Sequence, residues 1–108
     1  MTPELVETRR YYWRIRLNGI SAGKVFINWI NEAPYGEHAS IQIFLNKAHQ
    51  GRGIGPVAYR QACELSGYEV VYAHMRKSNI ASQKAAVRAG FKLDTTPQQQ
   101  LTMVWRKQ

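Results

Sequence analysis

Cysteine is nearly missing from this sequence. Cys63 is the one thiol in 108 residues, which excludes an internal disulfide and any metal centre built from several cysteines of one chain. Its expected place is that of a small core residue, and no metal ligand set is expected elsewhere. Acidic side chains are also scarce, at seven Asp+Glu against 15 Lys+Arg, for a formal net charge of +8. Such a balance calls for an anionic partner, which charge alone leaves open among nucleic acid, a membrane surface and a phosphorylated small molecule. No apolar run approaches the roughly 20 residues that a bilayer crossing needs. The start Met1-Thr2-Pro3-Glu4 lacks the basic and apolar stretches of a secretion signal. A cytoplasmic protein without a membrane partner is therefore expected. The length fits one domain, residues 1–108, with a single modest core. Aromatic surface is what the chain has in quantity: three Trp, six Tyr and three Phe supply large side chains to bury.

Periodicity assigns most of the elements. Apolar residues alternate through Tyr11, Trp13, Ile15 and Leu17, and again through Val25, Ile27 and Trp29. Asn18-Gly19 between them tolerates the positive φ of a tight hairpin turn. Ser21, Ala22 and Gly23 signal an irregularity before the second strand settles. Residues 31–36, with Pro34 and Gly36, read as a loop. Ala39, Ile41, Ile43 and Leu45 mark a third strand with one apolar face.

A glycine-rich turn then leads into a helix over residues 56–66. Pro56 is expected at its first position, where a missing N–H costs nothing, and Gly67 at its end. A fourth strand over residues 69–75 completes a strand–helix–strand unit, so the two strands should be parallel with a right-handed crossover. Ser78 or Asn79 can cap a second helix running to Ala89, with Gly90 as its left-handed terminator and Phe91 packing back. Two short strands, near residues 91–94 and 99–106, close the chain. The fold class is mixed α/β, with a mainly antiparallel sheet around the central strand–helix–strand unit.

The turn Gln50-Gly51-Arg52-Gly53-Ile54-Gly55 carries the chemistry. Between a strand and a helix it presents backbone N–H groups at the positive end of the helix dipole, a natural cradle for phosphate oxygens. A P-loop is excluded because no Gly-Lys-Ser/Thr follows. The G-x-G-x-x-G spacing of a dinucleotide fold is absent, and the preceding sheet is built of hairpins.

In this setting the turn resembles the signature Q/R-x-x-G-x-G/A of the GNAT superfamily of N-acetyltransferases. Asn79-Ile80-Ala81-Ser82 through Ala89-Gly90-Phe91 is similar to that family's second segment. The resemblance runs from about Tyr11 to the C-terminus. It implies an acyl-CoA N-acyltransferase fold lacking the usual N-terminal helices, with acetyl-CoA or coenzyme A as co-substrate and an amine as acceptor. The pyrophosphate would rest on main-chain N–H groups of Arg52, Gly53, Ile54 and Gly55, with Gln50 and Gly51 completing the turn. Main-chain groups of Phe44 and Leu45 would pair with the pantetheine arm, and Asn79 and Ser82 would lie beside its thiol end.

The implied reaction is direct attack by the amine on the thioester, with the oxyanion held by a strand N–H, that of Leu45. The amine must first lose a proton. Glu37 and His38 at the start of the third strand are the first candidates for the base, and His74 on the fourth strand is another. His49 beside the turn is expected to shape it or to meet the cofactor. Many relatives carry a Tyr seven residues after the motif Asn, where this chain has Ala86; Ser82, a water or another tyrosine such as Tyr59 or Tyr72 can then serve as acid, and spacing selects none of them.

Without walls from N-terminal helices the acceptor groove would be open, or filled by a second subunit in a homodimer. Two other functions compete. A non-catalytic CoA-binding or regulatory module would keep the turn and lose turnover. Nucleic-acid binding is suggested by the basic-aromatic run Arg9-Arg10-Tyr11-Tyr12-Trp13-Arg14-Ile15-Arg16, but that alternation is what an ordinary strand needs, and no helix-turn-helix or metal finger accompanies it.

Overall fold

The computed structural model describes residues 2–95 and 101–108. Seven strands form one sheet: β1 (Glu4–Arg9), β2 (Tyr12–Leu17), β3 (Ile20–Glu32), β4 (Gly36–Leu45), β5 (Val70–Met75), β6 (Lys92–Leu93) and β7 (Leu101–Arg106). Two helices, α1 (Ile54–Ser66) and α2 (Ile80–Arg88), accompany them. The spatial order is β1-β2-β3-β4-β5-β7-β6. Every neighbouring pair is antiparallel except β4 and β5. That parallel pair is joined through α1, as a strand–helix–strand crossover requires.

Strand β1 has no counterpart in the pattern read from the sequence. Its Leu5 packs against the core while Glu4 and Glu7 are exposed, so only a thin apolar signal marks it. It turns directly into β2, with no helix between Arg9 and Tyr12, and Tyr11 takes φ 63° at that corner. The hairpin at Asn18-Gly19 forms as expected, with φ of 52° and 77° and Leu17 facing Ile20. β3 is longer than its alternation suggests, running from Ile20 to Glu32, and the loop before β4 shrinks to Ala33, Pro34 and Tyr35.

The expected irregularity is a bulge. Ile15 faces Gly23 and Arg16 faces Ser21, which leaves Ala22 unpaired in the ladder. The carbonyls it frees are used. Ala22 accepts from the Asn46 main-chain N–H at 2.8 Å, and Ser21 accepts from the Asn46 side chain at 3.1 Å. The bulge therefore anchors the end of β4, just before the glycine turn.

The helices lie together on one face of the sheet over a continuous core. Trp13, Ile15, Val25, Ile27, Ala39 and Ile41 meet Ala58, Tyr59, Ala62 and Cys63 of α1, and Val71, Met103 and Trp105 extend the same layer. Burial pushes the Cys63 thiol well above its ordinary value, as suits an inert core residue. α1 begins at Ile54, so Pro56 is its third residue and not its first. It is still inside the first turn, where its N–H would have no intrahelical acceptor. Gly67 ends α1 at φ 78°. Asn79 caps α2 by accepting from Ser82 N–H at 3.1 Å. Gly90 takes φ 103° and Phe91 is buried behind it. The first residues of the expected last strand, Gln99 and Gln100, lie outside the described residues.

A Cβ built on Gly23 overlaps the main-chain carbonyl oxygen of Phe44 and comes within 3.0 Å of Leu45 Cα. Neither atom can move without shifting β4. Gly23→Ala is expected to lower stability by about 1–3 kcal/mol, read as a reduced urea midpoint with an unchanged slope.

Candidate functional site

The strand pair β4–β5 stays together only briefly. Ala39 faces Val71 and Ser40 faces Tyr72, and no further rung follows, although β4 runs on to Leu45 and β5 to Met75. β3 remains paired with β4 along that whole stretch. Past Ser40, β4 therefore turns a row of N–H and C=O groups toward a gap in place of a neighbour. Such an edge inside a sheet can accept an extended ligand as an added strand.

On the helix side the gap opens into a cleft of about 370 Å³. Ile43 and Leu45 line it from β4, Gln50, Gly51 and Gly53 from the turn, Gly55, Pro56 and Tyr59 from α1, and Asn79, Ala81, Ser82, Lys84, Ala85 and Arg88 from α2 and its cap. The turn is shaped by two left-handed glycines, Gly51 at φ 75° and Gly53 at φ 77°. Most residues with a Cβ take such angles only at a cost. Gln50 donates from its side-chain amide to the Leu45 carbonyl at 3.1 Å, which ties the turn to β4.

The N-terminus of α1 has no side-chain cap and no acidic residue in its first turn. The N–H groups of Gly53, Ile54 and Gly55 thus have no intrahelical acceptor; Pro56 contributes none. A Cβ on Gly53 would meet nothing within 4 Å, whereas one on Gly55 would come within 3.2 Å of Ala85 Cβ. The first glycine leaves the approach to the helix end open, and the second lets α1 and α2 pack closely. Lys84 and Arg88 add positive charge along the wall. The arrangement suits an elongated ligand with an anionic group at the helix end and a slender arm along β4.

The residues singled out from the sequence fall into two groups. Leu45, Gln50, Gly51, Gly53, Gly55, Asn79 and Ser82 line the cleft together. Ile54, between Gly53 and Gly55, is not in the lining, and its side chain is buried in the core. The Arg52 side chain is exposed and is not part of the lining. Phe44 sends its ring to the opposite, helix-free face, where it stacks on Phe26 at 6.1 Å and lies under Lys24. His49 sits in a short 3-10 turn, Lys47–His49, outside the lining, with its Nδ1 buried and unpartnered. Tyr59, one of several possible acids that spacing alone does not separate, also lines the cleft, although its helical spacing with Ala58, Ala62 and Cys63 is that of a core residue.

Glu37, His38 and His74 are not in the lining. Glu37 is exposed. The two histidines meet on the helix-free face, His38 just before the last rungs of β4–β5 and His74 just after them. Their Nε2 atoms are 2.8 Å apart. The surroundings fix the neutral tautomers. His38 Nδ1–H donates to the Gly36 carbonyl at 2.8 Å, so its Nε2 is the acceptor and His74 Nε2–H the donor. His74 Nδ1 then accepts from the Thr102 hydroxyl at 2.9 Å. The rings of Tyr35 and Tyr72 close around the pair, and the Tyr35 hydroxyl is hydrogen-bonded to Asp94. Burial, and then the neighbouring His38, hold His74 below the ordinary histidine value, against a weaker pull from Glu32.

The fold and site define an α/β protein with a parted parallel strand pair beside a glycine-rich turn at an uncapped helix end. The chain belongs to the GNAT acetyltransferase family, whose domain model matches residues 3–92. No curated protein matches the sequence. Among solved structures, an acetyltransferase from Agrobacterium tumefaciens superposes with a TM-score of 0.75 at 21% identity, over 89% of this chain and 60% of its own. The aminoglycoside acetyltransferase AAC(6')-Ib, in complex with coenzyme A, gives 0.74 at 20%, over 89% and 65%. The acetyltransferase yncA from Salmonella typhimurium, with acetyl-CoA, gives 0.69 at 16%, over 88% and 63%. The chain thus spans less than two thirds of each neighbour, and at these identities the likeness establishes the acyl-CoA N-acyltransferase fold. Among the described residues no helix is long and apolar enough to cross a membrane.

The lowered His74 value has a consequence for stability. Between that value and the ordinary one near 6.5 the unfolded chain binds more protons than the folded one, so stability rises with pH. His74 favours the fold fully above about pH 6.5 and loses that contribution as pH falls. Urea melts at pH 5.5 and 7.5 should show the wild type weaker at the lower pH, with that difference reduced in His74→Gln.

Proposed function

We propose that this chain transfers an acetyl group from acetyl-CoA to an amine. The observation that carries the reading is the continuity of the cleft: three unpaired N–H groups at the α1 terminus lie at one end, and the unpaired edge of β4 runs toward the point where β4 and β5 part. Coenzyme A has the matching shape, a pyrophosphate followed by a narrow pantetheine arm. Gly53, Ile54 and Gly55 would hold the phosphates, with Gln50 and Gly51 shaping the turn and Arg52 reaching in from solvent. The main chain of Phe44 and Leu45 would pair with the arm. Asn79 and Ser82 would flank the thiol end.

The amine then approaches from the helix-free face, where no helix covers the parting strands. It attacks the thioester carbonyl, and a β4 N–H, that of Leu45, receives the developing oxyanion. His74 takes the amine's proton. The nitrogen that would receive it is Nδ1, which accepts from the Thr102 hydroxyl in the resting arrangement, so that hydrogen bond has to give way, while His38 Nε2 shares the proton on the other nitrogen. A neutral imidazole is required for this, which fits the depressed value. His38 is the partner that orients it, while Glu37, exposed at the start of β4, is the remaining carboxylate near this end of the strand. The whole unit, residues 1–108, would work as a single catalytic domain in the cytoplasm. A second copy is the natural wall for the open acceptor side, and an acceptor amine stands ahead of nucleic acid as the second partner.

Purified protein is expected to bind acetyl-CoA and to release thiol with at least some members of a broad amine panel, the rate falling only once pH drops beneath the lowered His74 value and the base protonates. Gly53→Val forces a β-branched residue into a left-handed position at the phosphate end and should weaken acetyl-CoA at least tenfold while the chain stays folded. Normal affinity in a folded Gly53→Val variant would remove the site assignment. Tight binding with no thiol release would favour the non-catalytic module.

A further inference from the structure

We infer that Tyr59 is the general acid that protonates the departing thiolate, acting from α1 and held in place by Ser82. The inference rests on the acetyl-CoA reading above and names a group that the reading leaves open. Collapse of a tetrahedral adduct formed from an amine and a thioester expels sulfur as a thiolate. An O–H or N–H aimed at that sulfur lowers the barrier. Tyr59, Lys84 and Arg88 are the titratable side chains that line the cleft. Lys84 and Arg88 are exposed to solvent on α2. Tyr59 is only 3% exposed, yet it belongs to the wall, so the little surface it keeps faces the cleft.

Its hydroxyl is fixed from both sides. The ring packs edge-on against Phe91, with centroids 5.5 Å apart, and Oη lies 2.8 Å from Ser82 Oγ. Ser82 is itself held by the cap of α2, where its N–H donates to Asn79. When Ser82 Oγ–H donates to Tyr59 Oη, the phenolic proton is left for a partner in the cleft. No equivalent hydroxyl arises from Ala86, one turn further along α2, which is fully buried and absent from the lining.

The proton balance is simple. The amine's proton goes to the base, the C–S bond breaks, and the electron pair stays on sulfur. The Tyr59 proton passes to that sulfur, giving free CoA thiol. The phenolate left behind keeps its hydrogen bond from Ser82 and regains a proton from solvent as CoA departs. Burial raises the phenol above its ordinary value, more than the Ser82 hydrogen bond lowers it. The phenol therefore arrives protonated throughout the neutral range. A thiolate expelled into the same enclosed wall is desolvated too, which raises its affinity for the proton.

The test is Tyr59→Phe, which keeps the ring and its contact with Phe91. Acetyl-CoA affinity should stay within about threefold of wild type while kcat drops roughly 10²-fold or more. Ser82→Ala, which removes the orienting bond but leaves the phenol, should lose less. A second measurement needs no turnover. Titrating the thiol of bound CoA through its thiolate absorbance should give a pKa about one unit or more higher in Tyr59→Phe than in wild type, because the phenol no longer donates to the thiolate. An active wild type with a Tyr59→Phe kcat within a few-fold of it, or an unmoved thiol pKa, would overturn the inference and leave the acetyl-transfer reading standing. Failure of wild type to bind CoA would remove both.

Discussion

The parting of β4 from β5 after Ser40 and Tyr72 is the constraint on which the rest of the molecule depends. A parallel pair would normally continue its ladder, because an unpaired N–H or C=O inside a sheet is costly unless something else meets it. Here β3 holds β4 straight through Leu45 while β5 is drawn away along its full pairing with β7. What would be a defect in a purely structural sheet becomes the floor of a cleft. The bulge at Ala22 and the tethers from Asn46 and Gln50 stiffen the free end of β4.

The parted strands also divide the protein by chemistry. On the helix side lie backbone donors, small residues and two cations. On the other side lies a compact polar cluster, His38, His74 and Thr102 beneath Tyr35, in which the histidine nitrogens are engaged by the fold. The net charge of +8 first pointed to an anionic partner without naming it. In the structure only Lys84 and Arg88 of its basic residues line the cleft. Most of the positive charge is elsewhere on the surface, so under the proposed function main-chain N–H groups would be the principal anion site.

Much of this was legible in the residues because local rules and the fold agree. Asn18-Gly19 had to turn, Gly67 had to end α1, and Ser78 or Asn79 had to cap α2; each depends on its immediate neighbours only. β1 was not legible, since its pairing with β2 does more to define it than its own Glu-rich sequence. The start of α1 was read two residues late because Pro56 is tolerated throughout the first turn, not only at its first position. The pairing of His38 with His74 joins positions 36 apart, and the placement of the Tyr59 hydroxyl on Ser82 joins positions 23 apart. No periodicity within either element carries that information.

The central claim is that the α1 terminus and the unpaired edge of β4 form one continuous binding surface for acetyl-CoA. Titration of the ¹⁵N-labelled protein with acetyl-CoA tests it most directly. The account predicts saturable shifts at the amides of Gly51, Gly53, Ile54 and Gly55, with Ile43 through Leu45 moving in step at the same concentrations. Shifts confined to Arg9, Arg14, Arg16 and Lys24 on the basic face of the sheet, with the glycine turn unmoved, would contradict it.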